Sequence, residues 1–227
     1  MRQRTFDLPV GTRFGRDDFL VSDGNRAAFD LIDRWPDWPA RALVLHGPPG
    51  SGKTHLAHLW CERSGAKLIA GNAARMSEQE PPPSAAAVDD ADLADERPLL
   101  HFYNLCLERG GSLLLTMQMP PAALPIGLAD LASRLRALPV AGIAPPDDAQ
   151  LVAVLVKHFA DRQLRVAPEV FAYLVPRIER SFAAAASLAA RLDKYALETR
   201  RPVTIKLARA VLAEEDQSRP PSDLIVT

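Results

Sequence analysis

The run Gly47-Pro48-Pro49-Gly50-Ser51-Gly52-Lys53-Thr54 has the spacing of a phosphate-binding loop. Each residue type has a physical reason to be there. Glycines let backbone N–H groups turn inward on phosphate oxygens, and a helix opening at the end of the loop adds partial positive charge. Lys53 would reach the terminal phosphates as a point charge, and the Thr54 hydroxyl would ligate magnesium. At average residue frequencies the pattern arises by chance in about 1 chain of this length in 100. The alternative is an ordinary Gly-rich turn.

Hydrolysis of a nucleotide also needs an acid at the end of a neighbouring strand. Val88-Asp89-Asp90 supplies two behind an apolar run. Asp89 would orient the magnesium shell, and Asp90 would position or polarise the attacking water. Without the loop upstream, such a pair reads as a solvated turn. Thr116 or Gln118, in Thr116-Met117-Gln118, could sense a terminal phosphate; a plain polar strand end is the competing reading. Arg134 and Arg136 sit in Leu131-Ala132-Ser133-Arg134-Leu135-Arg136. An arginine on a helix so far from the loop can act on a neighbouring subunit's nucleotide, or be a surface arginine. The histidines at 46, 55, 58, 101 and 158 give no second ligand pair at metal-binding spacing.

These residues need elements to hold them. Ala42-Leu43-Val44-Leu45 before the loop reads as a buried parallel strand, and residues 53–63 as a helix. Lys67–Ala70 is a second short strand, and 76–84, with three consecutive prolines, a loop. Ala85–Val88 fits strand or helix, and the acids at its end favour strand. A helix over 99–109 ends at Gly110-Gly111; 112–116 is a strand, 128–138 a helix and 140–143 a fifth strand. Beyond Pro145-Pro146 strand-like runs stop. Helices are expected from Asp147 to about Gln163, from Pro168, from Ser181 to about Arg200, and from Thr204 to about Glu214. Alternating strands and helices imply a parallel sheet flanked by helices. The expected fold class is therefore α/β, with a phosphate-loop sheet domain over 21–143 and a small all-α lid over 144–214. Residues 1–20 and 215–227 read as tails.

Composition narrows the field. The chain has 227 residues, near one and a half domains at about 150 residues each. Apolar residues make up 48%, enough for a core, and 27 basic against 28 acidic residues argue against a uniformly basic nucleic-acid binder. Two cysteines make no disulfide framework. No apolar stretch reaches membrane-spanning length, and the N-terminus lacks the apolar region of a signal peptide. A cytoplasmic protein with no membrane partner is expected.

Taken in order, these features resemble the AAA+ ATPases of the DnaA group, and within it the DnaA-related Hda regulators. The carrying segments are Asp18-Phe19-Leu20-Val21, Ile32-Asp33-Arg34-Trp35-Pro36-Asp37-Trp38, His46-Gly47-Pro48 and Thr54-His55-Leu56. Leu113–Thr116, Leu128–Leu135 and Arg191-Leu192-Asp193 complete the set. Similarity runs from about residue 3 to 213. It implies binding of ADP or ATP with Mg2+, through the loop from Gly47 to His55 and with Phe19, Leu20 and Val21 lining the adenine site. It places Thr54 and Asp89 at the metal, partly through water. It puts Arg134 at the arginine-finger position, directed at ATP on a DnaA partner. Gln3, Phe6 and Leu8, in Gln3-Arg4-Thr5-Phe6-Asp7-Leu8-Pro9, resemble the short peptide that docks on the DNA polymerase sliding clamp.

The resemblance has departures. DnaA continues beyond its lid into a helix-turn-helix domain; this chain ends at Thr227, so sequence-specific DNA binding is not expected. The family carries an arginine early in its third lid helix, where this sequence has Ala183 or Ala184, with Arg180 nearby. That would weaken turnover by the chain itself while leaving ADP binding intact. The implied function is negative regulation of replication initiation by promoting hydrolysis of DnaA-bound ATP. The competing readings are a self-sufficient remodelling ATPase, like a helicase loader, and a nucleotide-responsive interaction module. Self-association and the working nucleotide stay open.

Overall fold

The computed structural model describes residues 19–73 and 84–218. These fall into two compact units, one of 19–46, 53–73 and 84–142, the other of 47–52 and 143–218.

The first unit is a five-stranded sheet with helices. Its elements are α1 (Arg26–Asp33), β1 (Ala42–His46), α2 (Lys53–Ser64), β2 (Lys67–Ala70) and β3 (Ala85–Asp89). Then come α3 (Glu96–Glu108), β4 (Ser112–Met117), α4 (Ala129–Arg136) and β5 (Val140–Gly142). The strand order is β2-β3-β4-β1-β5, and every pairing is parallel. The order reverses around β1, and in such sheets ligands bind beyond the carboxyl ends of the strands at that point. Register sets the functional ends side by side: Ala70 lies opposite Asp89, Val88 opposite Leu115, and Leu45 opposite Thr116.

Parallel strands buried on both faces need continuous apolar runs, and β1 and β4 supply them. The run Ala85–Val88, open to either reading by pattern, is strand β3, fully buried between β2 and β4. On one face Val44, Val88, Leu113 and Leu115 join Leu99, Phe102 and Cys106 of α3 and Leu131 and Leu135 of α4 in one core. Alternate residues such as Leu43, Leu45, Ala87 and Leu114 point to the opposite face. There α2 packs on β2, β3 and β4 and buries Leu56, Ala57 and Trp60. Trp38 stacks on Trp60 at 5.1 Å and Trp35 meets it edge-on at 6.2 Å, so the Trp-Pro run before β1 closes the core around α2.

The helix expected from Leu99 begins three residues earlier, at Glu96. Pro98 marks that start, because proline is tolerated in a first helical turn. The helix expected over 128–138 is shorter, Ala129–Arg136.

In the second unit, α5 (Asp148–Asp161), α6 (Pro168–Leu174), α7 (Phe182–Thr199) and α8 (Ile205–Ser218) surround their own core. Leu151, Leu155, Phe159, Leu188, Leu192 and Val211 are its buried centre. Asp147 and Gln150 form a reciprocal capping box at the start of α5, and Ser181 caps α7 by accepting from the Ala184 amide at 3.0 Å. Helix α8 extends beyond the Glu214 expected from pattern. No described helix is long and apolar enough to cross a membrane.

Candidate functional site

The loop Gly47–Gly52 turns through left-handed backbone at Gly50 (φ 69°) and Gly52 (φ 104°). Close approach also demands glycine. A Cβ at Gly47 would lie 2.4 Å from the Ile143 carbonyl oxygen, and one at Gly50 would lie 2.4 Å from the Ser181 Cβ. The Phe182 amide donates to the Gly50 carbonyl at 2.9 Å. Inside the loop, the Ser51 hydroxyl is buried and has no hydrogen-bond partner. A cradle of inward-turning glycines beside an unpartnered buried hydroxyl suits an anion.

Lys53 and Thr54 open α2. Lys53 is 5% exposed, and burial lowers its pKa against the opposing pull of Asp90, Asp89 and Asp92. The nearby carboxylates offset part of the burial that disfavours its charge. The hydroxyl of Thr54 donates to Asp89 Oδ2 at 2.8 Å. Its two lone pairs stay available for a metal.

Asp89 ends β3, and its second oxygen, Oδ1, accepts from the Thr116 hydroxyl at 2.6 Å. That hydroxyl in turn accepts from the Asp90 amide at 2.9 Å. Asp89 is thus gripped by threonines from α2 and β4. Asp90 follows in left-handed backbone (φ 50°). Burial first, and then neighbouring Asp89, raise its pKa, while Lys53 pulls the other way. His46, at the end of β1, has its pKa lowered by burial and then by Lys53, which favours the neutral ring.

The Thr116 side chain is fully buried and bonded to both Asp89 and the Asp90 amide, so it fixes the orientation of the acids. Gln118 is exposed at the end of β4, and its amide donates to Asp92 Oδ2 at 3.1 Å. Asp92 was not among the residues expected to matter. Its other oxygen is buried without a partner. It lies three positions after Asp89 in a short 3-10 turn, a placement visible only once the strand end is known.

Phe19 is buried, stacks on Phe29 at 5.9 Å and meets His55 edge-on at 5.3 Å; Val21 is exposed. Arg134 is exposed on α4, bonded through Nε to Asp130 at 2.9 Å and lying over the Tyr103 ring at 5.9 Å. In the second unit, Ala183 and Ala184 open α7 beside capping Ser181, and Arg180 is committed to Asp148 at 2.7 Å. Gln3, Phe6 and Leu8 lie outside the described residues. Burial pushes the Cys61 thiol up to about 11, and Cys106 is buried too, so neither is a reactive thiolate near pH 7.

A parallel sheet with a phosphate loop after its first strand, acids on a neighbouring strand and a following helical unit define the AAA+ class. Comparison with known proteins agrees. Residues 43–95 match the family "ATPase family associated with various cellular activities (AAA)", and residues 147–212 match "Hda, lid domain". DnaA of Thermoanaerobacter sp. (strain X514) is 24% identical over a 234-residue alignment covering 90% of this chain and 53% of that protein. Domain III of Thermotoga maritima DnaA superposes with a TM-score of 0.76 at 17% identity, covering 91% of this chain and 98% of that one. AMPPCP-bound DnaA from Aquifex aeolicus gives 0.66 at 16% identity, covering 88% and 69%. The chain spans about half the length of the curated relative it matches. Over 43–95 it is similar to AAA ATPases and over 147–212 to the Hda lid, and its fold is that of DnaA domain III.

Proposed function

We propose that this chain is a nucleotide-dependent regulator of chromosomal replication initiation that acts on DnaA. The observation that carries the reading is the joint presence of an intact phosphate loop and acid cluster with an Hda-type lid. An adenine nucleotide fits the glycine cradle, with Lys53 at its terminal phosphates. The nucleotide-analogue-bound DnaA relative supports this choice. Thr54 and Asp89 would hold Mg2+, partly through water, and the ion would neutralise phosphate charge. The chain's own residues do the rest. Lys53 supplies a fixed cation. Thr116 and Thr54 lock the Asp89 carboxylate in one orientation. Asp90 stands where a water could be oriented, and Gln118 is the candidate for sensing a terminal phosphate. With Ala183 and Ala184 where relatives carry an arginine, turnover by the chain alone is expected to be slow, and ADP suffices for binding.

The regulatory act is assigned to Arg134. It would meet the transferring phosphoryl group of ATP held by DnaA, an electrostatic contribution worth about 10³–10⁵ in rate in related nucleotide hydrolases. Gln3, Phe6 and Leu8 would dock the chain on the sliding clamp, with one amide for hydrogen bonds and two apolar anchors. The test measures hydrolysis of DnaA-bound ATP on clamp-loaded DNA, with and without this chain. Acceleration should disappear in Arg134→Ala and in a Gln3→Ala/Phe6→Ala variant. Undiminished acceleration by Arg134→Ala would remove the finger assignment. ATP turnover by this chain alone, with no effect on DnaA, would favour a remodelling ATPase.

A further inference from the structure

Helix α4 carries Arg134 but has no local cap: its N-cap residue is Leu128, whose side chain accepts nothing. The amides leading into the helix are met from a distance. Glu96, the first residue of α3, accepts from the Gly127 amide through Oε1 at 2.8 Å and from the Leu128 amide through Oε2 at 2.6 Å. Both bonds are charge-assisted, and a carboxylate at a helix N-terminus also opposes the helix dipole. Glu96 belongs to the same short segment as Asp89, Asp90 and Asp92. Asp92 already ties that segment to the Gln118 amide at the end of β4. The connection from β4 to α4 is therefore held at both ends by carboxylates from the stretch that begins at the acid cluster. Further along α3, Tyr103 lies under the Arg134 guanidinium at 5.9 Å, while Leu131 and Leu135 of α4 share the core with Leu99 and Phe102 of α3.

We infer that Glu96 is the positioning residue for Arg134. Its carboxylate fixes the N-terminus of α4, and so the direction in which the guanidinium is presented to a partner's nucleotide. The inference rests on the reading of Arg134 given above. A finger acts through position, and a misplacement of about 1 Å can cost on the order of 100-fold in rate.

The experiment uses the full chain and hydrolysis of DnaA-bound ATP on clamp-loaded DNA. Glu96→Ala should lower the maximal stimulated rate about 10- to 100-fold. The concentration giving half-maximal stimulation and the chain's own affinity for ADP should stay within about 3-fold, which a general loss of structure would not allow. Glu96→Gln keeps one acceptor oxygen and should recover part of the rate. The double variant Glu96→Ala/Arg134→Ala should stimulate no less than Arg134→Ala alone, because both act through one group. If Glu96→Ala loses its cooperative thermal transition, the comparison passes to Glu96→Gln, which should fall below the unaltered chain. A full rate from Glu96→Gln there, or from a folded Glu96→Ala, overturns the inference while Arg134→Ala stays defective. A double variant weaker than Arg134→Ala overturns it too. Full stimulation by Arg134→Ala would instead bring down the functional reading and this inference together.

Discussion

The Thr116 hydroxyl gives its proton to Asp89 and accepts one from the Asp90 amide, so Thr116→Val keeps the shape of β4 and deletes both bonds. Leaving a part-buried carboxylate oxygen and a part-buried N–H without this partner costs about 1–3 kcal/mol. The urea midpoint should fall by that equivalent with an unchanged slope. Because Asp89 then loses one of its two threonine partners, nucleotide affinity should fall more in Mg2+ than in EDTA. Asp90 poses the opposite case. Its carboxyl pKa is raised by burial and by Asp89, so the folded chain holds that proton more tightly than the unfolded one. The associated stability is present below the ordinary Asp pKa and is lost as pH rises through the folded value. Asp90→Asn keeps a residue that tolerates left-handed backbone. It should raise Tm of the nucleotide-free chain at pH 7, and the gain should close as pH drops below about 4. Melts at pH 7 and pH 3.5 decide it; an unchanged or lower Tm at pH 7 refutes the sign.

At the scale of elements, the start of α7 tests what the Ser181 cap contributes. Ser181 is 4% exposed and accepts from the Ala184 amide. Ser181→Ala should cost about 1 kcal/mol and Ser181→Gly only a few tenths, because glycine leaves the amide open to water. Chemical denaturation of the two variants measures the gap, and equal losses would assign the cost to packing. The helix starts at Asp147, Ser181 and Thr204 were legible because such signals are local chemistry. So were β1, β2 and β4, whose apolar runs end in turn residues. The alanine stretch of β3 was open by pattern alone, since Ala85, Ala86 and Ala87 suit either element; the acids at its end favoured the strand that lies buried between β2 and β4. The loop, Lys53, Thr54 and Asp89 were legible from spacing. Asp92 and Glu96 were not, because their partners Gln118, Gly127 and Leu128 are distant in sequence and reach them only through the fold. The place of Thr116 at a strand end was legible too, but its bond to Asp89, 27 residues away, shows only in the fold.

At the scale of the whole molecule, the sheet unit and the helical unit each bury a hydrophobic cluster of their own. One spans Ala42 to Leu138; every member of the other lies between Leu151 and Leu212. A cluster drawn from one continuous stretch needs no strand pairing to form. Residues 143–218 are therefore expected to fold as an independent polypeptide, since domains of 55–65 residues already do so. Below about 80 residues a single core rarely supplies more than about 3–5 kcal/mol, so its stability should lie at or under that range. Far-UV circular dichroism should show helix, with one cooperative urea transition. Leu192 is fully buried at the centre of this cluster. Leu192→Ala should cost about 2–5 kcal/mol, enough to unfold the isolated segment. In the full chain the same change should leave a separate transition for the sheet, followed by Trp60 fluorescence, because Trp60 is buried among Trp35 and Trp38 in the other unit. A segment without cooperative unfolding would mean that the lid core, though closed in composition, depends on the rest of the chain. Loss of the Trp60 signal in step with the lid helices would make the two units a single thermodynamic domain.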